Sequence, residues 1–510
     1  MIATAIAWLL APFLAAFITA LVPRLGRPLT LLASAATVAM AAAIPVAWAP
    51  ESLQLLGPLG VRLQLDALAA PFLLLNGLVT AAVALDGFSA GVDPDGGAPS
   101  GRQDSHLALL MLVLLGAVNS AIVAVDLISI YVALEVVGVA VVVLLALGND
   151  ERDLWLGLRY GLLSNTVMLL FLIGAGLVYL QQGTFALAAT PLAGGVPLAL
   201  LVVALVSKGE LFLAGLWLPR TNAQAPLAVS ALLSGAVLSA GVAPLLRLAE
   251  LTPPLTPVLQ GLGILSAALG VVFALAETDL PRLLAWSTLS QMGLVVVLPA
   301  VGALLALAHG LAKAALFLAA RGVPSQSLEG WRQRPLAASS AVPLLLASCS
   351  IAGVAPLLGF AAKDILEEGL DTTLGHVLVA VLGVGTVAVY ARLWGAPVGR
   401  LHGAVTAPGA PGAELMSRAT AWPFGSLLLV AALLLLNLSP WARAFWGNLA
   451  TDGLGWALLK SGGTVAAGVT LQRLLEWRGR PWSLPGLERL DNLLAAVVLL
   501  GAVLVLGLAP

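Results

Sequence analysis

The sequence predicts an all-α polytopic membrane protein with about 14–16 transmembrane helices. Three observations carry that expectation. Of the 510 residues, 60% are hydrophobic and only 10% charged, whereas a water-facing globular domain carries about 25% charged residues. The mean hydropathy is +1.04. Apolar runs of about 18–25 residues recur from end to end, each long enough to cross a ~30 Å hydrocarbon core. Length alone would suggest about three soluble domains, a prior that fails where spans recur along the whole chain.

The runs fall near 2–22, 28–49, 65–86, 106–124, 126–147, 155–180, 196–218, 226–248, 256–276, 282–300, 302–320, 337–362, 374–395, 422–440 and 490–508. The first lacks the basic segment of a cleavable signal and is of spanning length, so it reads as a permanent helix. The stretch 451–471 is ambiguous, because Lys460 and several glycines interrupt it. With the N-terminus outside, the inner loops collect Arg24, Arg27, Arg102, Arg152 and nine further arginines up to Arg418, while the outer loops hold Arg62 and Arg247. This positive-inside bias places the N-terminus on the periplasmic side. Arg473, Arg478 and Arg480 join the inner set if 451–471 spans. The loops 87–105 and 399–421 are rich in Gly, Pro and Ala and read as flexible inner connectors.

Composition also excludes. A net charge of −1 gives no attraction to nucleic acid. One cysteine, Cys349, cannot form an internal disulfide, and four unclustered histidines do not suggest a metal site. No phosphate-binding loop, dinucleotide fingerprint or HExxH helix is present, so no cofactor is expected. The chemistry must therefore sit within the membrane or at helix ends.

A charge at bilayer depth costs at least ~2.5–3.5 kcal/mol on insertion scales, so each one demands a reason. Glu135 lies near the middle of DLISIYVALEVVGVAVVVLLAL. Lys208 lies at mid-span in LALLVVALVSKGELFLAGLWLP, followed by Gly209 and Glu210. His309 and Lys313 lie one helical turn apart in ALLALAHGLAKAALFLAA, on one face. Lys363 ends a span interrupted by Gly353, Pro356 and Gly359. Buried lysine and glutamate can exchange protons near neutral pH, and helix breaks are tolerated where they line protein or water. One acid–base pair would serve equally as structural glue. Several ionisable groups over four spans exceed what such a pair needs, and a relay is the better reading. His309 alone suits a hydrogen-bonded core histidine as well as a proton carrier. Asp126, Arg152, Asp153, Asp279 and Arg282 read as helix caps or anchors, Arg247 and Arg392 as interfacial snorkels, and Trp217, Trp286 and Trp394 as interfacial belts.

The segment KGELFLAGLWLPRTNAQAPLAVSALLSGAVLSAGVAPLLRL resembles the signature of the proton-conducting antiporter-like membrane subunits. These occur in complex I (NDH-1), its photosynthetic relative and Mrp cation/proton antiporters. DLISIYVALEVV, ETDLPRLLAWSTLSQMGLVVV, LAHGLAKAALFLAARG and AGVAPLLGFAAKDIL extend the resemblance over about 105–395, and WLPR and AHGLAKAALF are most like the Mrp D-type subunit. The resemblance implies two inverted five-helix repeats with broken helices, at about 106–248 and 256–395. Three helices and a loop at 1–105 would precede them, and a loop and accessory helices at 396–510 would follow. It implies an acid–lysine pair of Glu135 and Lys208, a central axis holding His309 and Lys313, and a terminal Lys363. Three segments depart from the family pattern. Ser239 stands where a further lysine or histidine is usual, and it can hold a linking water but no charge. Arg220–Asn222 replace a DAH-type loop, and Pro281 replaces a lysine.

The expected function is a proton-translocating subunit of a multisubunit Mrp-type Na⁺/H⁺ antiporter, without catalytic activity of its own. The alternatives are a proton-pumping subunit of an NADH- or ferredoxin-quinone oxidoreductase, or a subunit energising inorganic-carbon uptake. A purely structural membrane subunit is a further reading, and an enzyme acting on a lipid-linked substrate fits poorly with the short outer loops. Expected partners are other membrane subunits, H⁺, Na⁺ and the lipid bilayer. The expected location is the bacterial inner membrane, or a thylakoid membrane if the source is photosynthetic.

Overall fold

A computed structural model describes residues 2–47, 52–55, 60–86, 101–148, 150–211, 214–332, 334–399, 423–438, 454–478 and 488–508. Most of the two connector loops expected at 87–105 and 399–421 lies outside the described residues. Nineteen α-helices are described. Twelve helical stretches are long and apolar enough to cross a membrane, and Gly195–Lys208, Ala338–Ala352 and Phe424–Leu435 are shorter apolar helices. Together these make fifteen, inside the expected range.

The chain opens with α1 (Ile2–Leu21) and α2 (Gly26–Ala47), then a short hairpin of β1 (Ser52–Gln54) and β2 (Arg62–Gln64) in register Leu53↔Leu63, then α3 (Ala69–Asp86). Next come α4 (Gly101–Val123), α5 (Leu127–Leu145) and α6 (Glu151–Gln182). The first broken element is α7 (Gly195–Lys208) followed by α8 (Leu218–Gln224). One span over Leu227–Leu251 combines α9 (Leu227–Leu232), a π-helical turn at Leu233–Val237 and α10 (Leu238–Leu251).

The second series is α11 (Leu255–Ala276), α12 (Leu280–Val297) and α13 (Pro299–Ala319). A second broken element, α14 (Ala338–Ala352) then α15 (Leu358–Glu368), leads to α16 (Thr373–Trp394). The chain closes with α17 (Phe424–Leu435), α18 (Leu454–Arg478) and α19 (Leu490–Leu508).

The two series repeat a local feature. Asp126 caps α5 by accepting from Ser129 N, and its backbone bridges Ala186 beyond α6. Asp279 caps α12 by accepting from Arg282 N, and its backbone bridges Ser327 beyond α13. Both aspartates satisfy helix N–H groups that have no intrahelical acceptor.

Burial ranks the helices. The Leu227–Leu251 span is 100% buried, α12 94% and Pro299–Gly322 83%, against 33% for α1 and 28% for α19. The core is therefore built on α9–α10, α12 and α13, with α1 and α19 at the periphery of the chain. In hydrocarbon there is no water to compensate a polar backbone, so backbone groups that face it must be paired inside the protein.

Arginines sit at the ends of this bundle. At one end Arg27 donates to Ala84 O at 2.9 Å and Leu85 O at 2.7 Å, and Asp86 accepts from Gly425 N. Arg392 donates to the Ala274 and Leu275 carbonyls, closing the end of α11. Arg282 pairs with Glu277 at 3.0 Å and Glu488 at 2.7 Å. At the other end Arg247 pairs with Asp66 at 2.5 Å.

The ambiguous stretch 451–471 is a continuous helix from 454, running parallel to α16. Gly383 faces Thr464, Gly468 faces Val387 and Arg392 faces the charge of Glu476, so both numberings rise together. Lys460, the residue that obscured it, is paired with Asp364 and, at 3.1 Å, with Glu367.

Candidate functional site

The first break has a defined cause. Gly209 N donates to Leu205 O at 2.8 Å and Leu211 N reaches back to Val206 O at 3.2 Å. This is the turn with which helices end on a left-handed residue, usually glycine. The residue in that position is Glu210, at φ 61°, where a side chain costs about 1–2 kcal/mol. The second break repeats the turn: Val354 N reaches Cys349 O at 3.0 Å, around Gly353 at φ 82°. One break uses the expected glycine and the other a glutamate.

Glu210 is 0% exposed, and neither carboxylate oxygen has a hydrogen-bond partner among the described residues. It lines a cavity with Leu134, Tyr160, Ser164, Lys208 and Trp217, roomy enough for about one water. Lys208, also buried, donates from Nζ to Ser164 Oγ at 2.6 Å and stands 5.9 Å from the Tyr160 ring centre. Helix α10 packs tightly against the break here. A Cβ on Gly241 would stand 2.6 Å from the Lys208 carbonyl carbon and 2.7 Å from Gly209 N. Only glycine fits that crossing. Glu135, half-buried on α5 beside Tyr131, is not in ion-pair contact with Lys208. Its charge reaches the ammonium without touching it.

Lys313 is 0% exposed. Its ammonium donates to Leu284 O at 2.6 Å and to Tyr390 OH at 2.8 Å, and that hydroxyl is 2.8 Å from Ser287 Oγ. His309, one turn away and 5% exposed, has no partner on either ring nitrogen among the described residues. It shares a second small cavity with Gln291, Ser350, Gly359 and Lys363.

Lys363 donates to Ile351 O. That carbonyl is free because α14 stops: the N–H four residues on, Ala355, donates instead to Ser461 Oγ at 3.1 Å. The same Ser461 hydroxyl donates to Gly353 O at 3.3 Å, so α18 fastens the second break. Ser239 lies next to the π turn, fully buried with an unpartnered Oγ. Such turns are frequent at functional sites. Asn222, in the RTN segment, donates to Ser234 Oγ at 2.7 Å.

The predicted residues thus form two groups. One is Lys208 with Glu135 within field range. The other is Lys313, then His309 with Lys363 at the second cavity. Sequence reasoning passed over Glu210, which it noted only as a neighbour of Lys208, and over Ser164 and Tyr390, which look ordinary in one dimension. Three readings are corrected. Arg247 does not snorkel: it is 6% exposed and held by both oxygens of Asp66, at 2.5 and 2.9 Å. Trp217 is not interfacial: it is buried, edge-on to Tyr160 at 5.0 Å, and lines the first cavity. Trp286 is buried too, stacked on Phe273 with ring centres 4.6 Å apart. Among the described residues no cluster of His, Cys, Asp or Glu could hold a metal ion.

A buried lysine, Lys208, on one broken helix and a half-buried one, Lys363, on the other mark a polytopic membrane protein of the antiporter-like class. The family model described as "NADH:quinone oxidoreductase/Mrp antiporter, TM" matches residues 124–388, and the chain belongs to that family. NADH-quinone oxidoreductase subunit N of Desulforudis audaxviator is 30% identical over 364 residues, 65% of this chain and 72% of that one. The D-type subunit of the Na(+)/H(+) antiporter of Alkalihalophilus pseudofirmus is 26% identical over 369 residues, 66% and 72% of the two chains. A chain of the Mrp complex from Dietzia superposes with a TM-score of 0.71 at 21% identity, covering 96% of this chain and 99% of that one. A chain of an archaeal membrane-bound sulfane sulfur reductase gives 0.71 at 20%, covering 92% and 98%. At these identities the superpositions establish the shared fold.

Proposed function

We propose that this chain is a proton-translocating subunit of a multisubunit Mrp-type Na⁺/H⁺ antiporter, with Glu135, Lys208, His309, Lys313 and Lys363 along the path. One observation carries the reading. Lys208, Lys313 and Lys363 rest on neutral acceptors: a serine hydroxyl, a carbonyl with a tyrosine hydroxyl, and a carbonyl. Arg247, Arg282 and Lys460, by contrast, sit on carboxylates. A lysine on a neutral acceptor can release its proton without leaving a buried carboxylate unpaired, which would be strongly destabilising. The carboxylate-bound cations hold the bundle, and the others are free to change charge.

On this reading 106–248 and 256–395 are inverted halves, a division supported by the matching Asp126 and Asp279 caps. Residues 1–105 and 396–510 flank them. The N-terminus is periplasmic in a bacterial inner membrane, since Arg27, Arg282, Arg321 and Arg392 then all face the cytoplasm. Proton movement at the Glu135–Lys208 site changes the field at Lys313 and Lys363, coupling it to movement of Na⁺. Partners are the other membrane subunits.

A second reading is a proton-pumping subunit of a quinone oxidoreductase, favoured by the higher identity to the Desulforudis relative. Any redox chemistry would then belong to partner subunits. Co-purification separates the two readings: cluster-bearing hydrophilic subunits favour the oxidoreductase, and small membrane subunits alone favour the antiporter. Sodium-dependent ΔpH in everted vesicles should be lost in Lys208→Ala and reduced in Glu135→Gln. Unchanged transport in both variants overturns the proton path.

A further inference from the structure

Glu210 is a third acidic or basic group at the first break, and the path above leaves it unused. It combines three features that packing does not explain. Its side chain is wholly buried with both oxygens unpartnered, whereas buried polar groups are nearly always hydrogen-bonded. Its backbone is left-handed where the second break uses glycine, and backbone strain of this kind collects at functional positions. It faces a cavity shared with Lys208, Ser164 and Tyr160. The charged and titratable groups around it are Lys208 and Tyr160, which line the same cavity, and Lys313, whose charge reaches it from the second half.

We infer that Glu210 is a proton-binding site that passes protons between Lys208 and Lys313. The ligand is a proton and not a metal cation, because the cavity offers one carboxylate and neutral hydroxyls among the described residues, while two lysines oppose any further cation. The step conserves charge. The Lys208 ammonium gives its proton, through one cavity water, to a Glu210 oxygen and keeps the N–H electron pair as a neutral amine. Glu210–OH then gives a proton to neutral Lys313, regenerating the carboxylate and an ammonium. Ser239, buried and unpartnered, can hold a water but bears no charge, and Glu210 supplies the ionisable group between the two lysines. This inference rests on the proton path proposed above.

The test uses the complete complex in proteoliposomes. Glu210→Gln should lower ΔpH-linked transport about a hundredfold or more, within the range contributed by positioned proton-transfer groups, and Glu210→Asp should retain part of it. Glu210→Gly should melt higher than wild type and still fail to transport, a split that a structural carboxylate cannot produce. Infrared difference spectra should show a protonated carboxylic acid C=O stretch in wild type that disappears in Glu210→Gln. Wild-type transport in Glu210→Gln with loss in Lys208→Ala overturns the inference and leaves the path standing, whereas wild-type rates in both overturn the path itself. Where Glu210→Gln does not assemble, dicyclohexylcarbodiimide labelling of the native complex decides: label on Glu210 supports the site, and none overturns it.

Discussion

The crossing of α10 over the first break allows a perturbation that alters no charge. In Gly241→Ala the added methyl would stand 2.6 Å from the Lys208 carbonyl carbon and 2.7 Å from Gly209 N and Lys208 Cβ, where ordinary contact begins at 3.4 Å. The helices must part by about 3.4 − 2.6 = 0.8 Å. Overpacking of this kind costs about 1–3 kcal/mol, within reach of a large, well-packed bundle. Function should suffer more. A shift of that size stretches the 2.6 Å contact of Lys208 to Ser164 towards 3.4 Å, the edge of hydrogen bonding. Misplacement by about 1 Å of a group that transfers protons costs up to about a hundredfold. Sodium-dependent ΔpH in everted vesicles should therefore fall about tenfold to a hundredfold, while the amount of assembled complex stays near wild type. Gly261→Ala is the control, since nothing lies within 4 Å of its added carbon. Wild-type transport in a normally assembled Gly241→Ala complex would refute the view that α10 sets the position of Lys208.

Other perturbations separate structure from transport. Asp66→Asn should destabilise by about 3–5 kcal/mol by leaving Arg247 buried without its carboxylate, seen as loss of the complex from membranes. Pairing it with Arg247→Met should recover much of the assembly, and a double variant no better than the single would count against a buried pair. Tyr390→Phe removes one acceptor of Lys313 and the link to Ser287. It should cost about 1–3 kcal/mol of thermal stability and slow transport, and a melting curve unchanged from wild type would contradict the assigned hydrogen bonds. Gly353→Ala places a side chain at φ 82° and should cost about 1–2 kcal/mol, measured by thermal melting in detergent.

Membrane architecture was legible because hydropathy in a ~30 Å core leaves little freedom, and the lysines stood out as charges in apolar runs. Both breaks were legible for the same reason: Gly209, Gly353 and Pro356 interrupt spans that otherwise continue. Partners were not. Asp66 and Arg247 are 181 positions apart, and nothing in either local segment points to the other, so Arg247 read as an interfacial charge. Glu210 was visible as a letter but not as a site. Its meaning lies in a left-handed φ and in two carboxylate oxygens without donors, neither of which composition or spacing encodes. Glu135 and Lys208 were expected as a pair from family likeness, yet the serine that holds the ammonium, Ser164, belongs to α6 and carries no sequence signal. Lys460 misled in the opposite direction. A charge in a Gly-rich run weakened the reading of α18, although Asp364 and Glu367 supply its counter-charges.

The hydroxyl of Ser461 stands where a soluble protein would place a water molecule. It completes a carbonyl and an N–H that the broken helix cannot satisfy alone, and it is itself buried. The carboxy-terminal helices are thus not a removable tail. A chain shortened before residue 454 would carry an open wound in its second half, and the lost segment would be recoverable only by supplying it separately, as a peptide that docks from within the lipid phase.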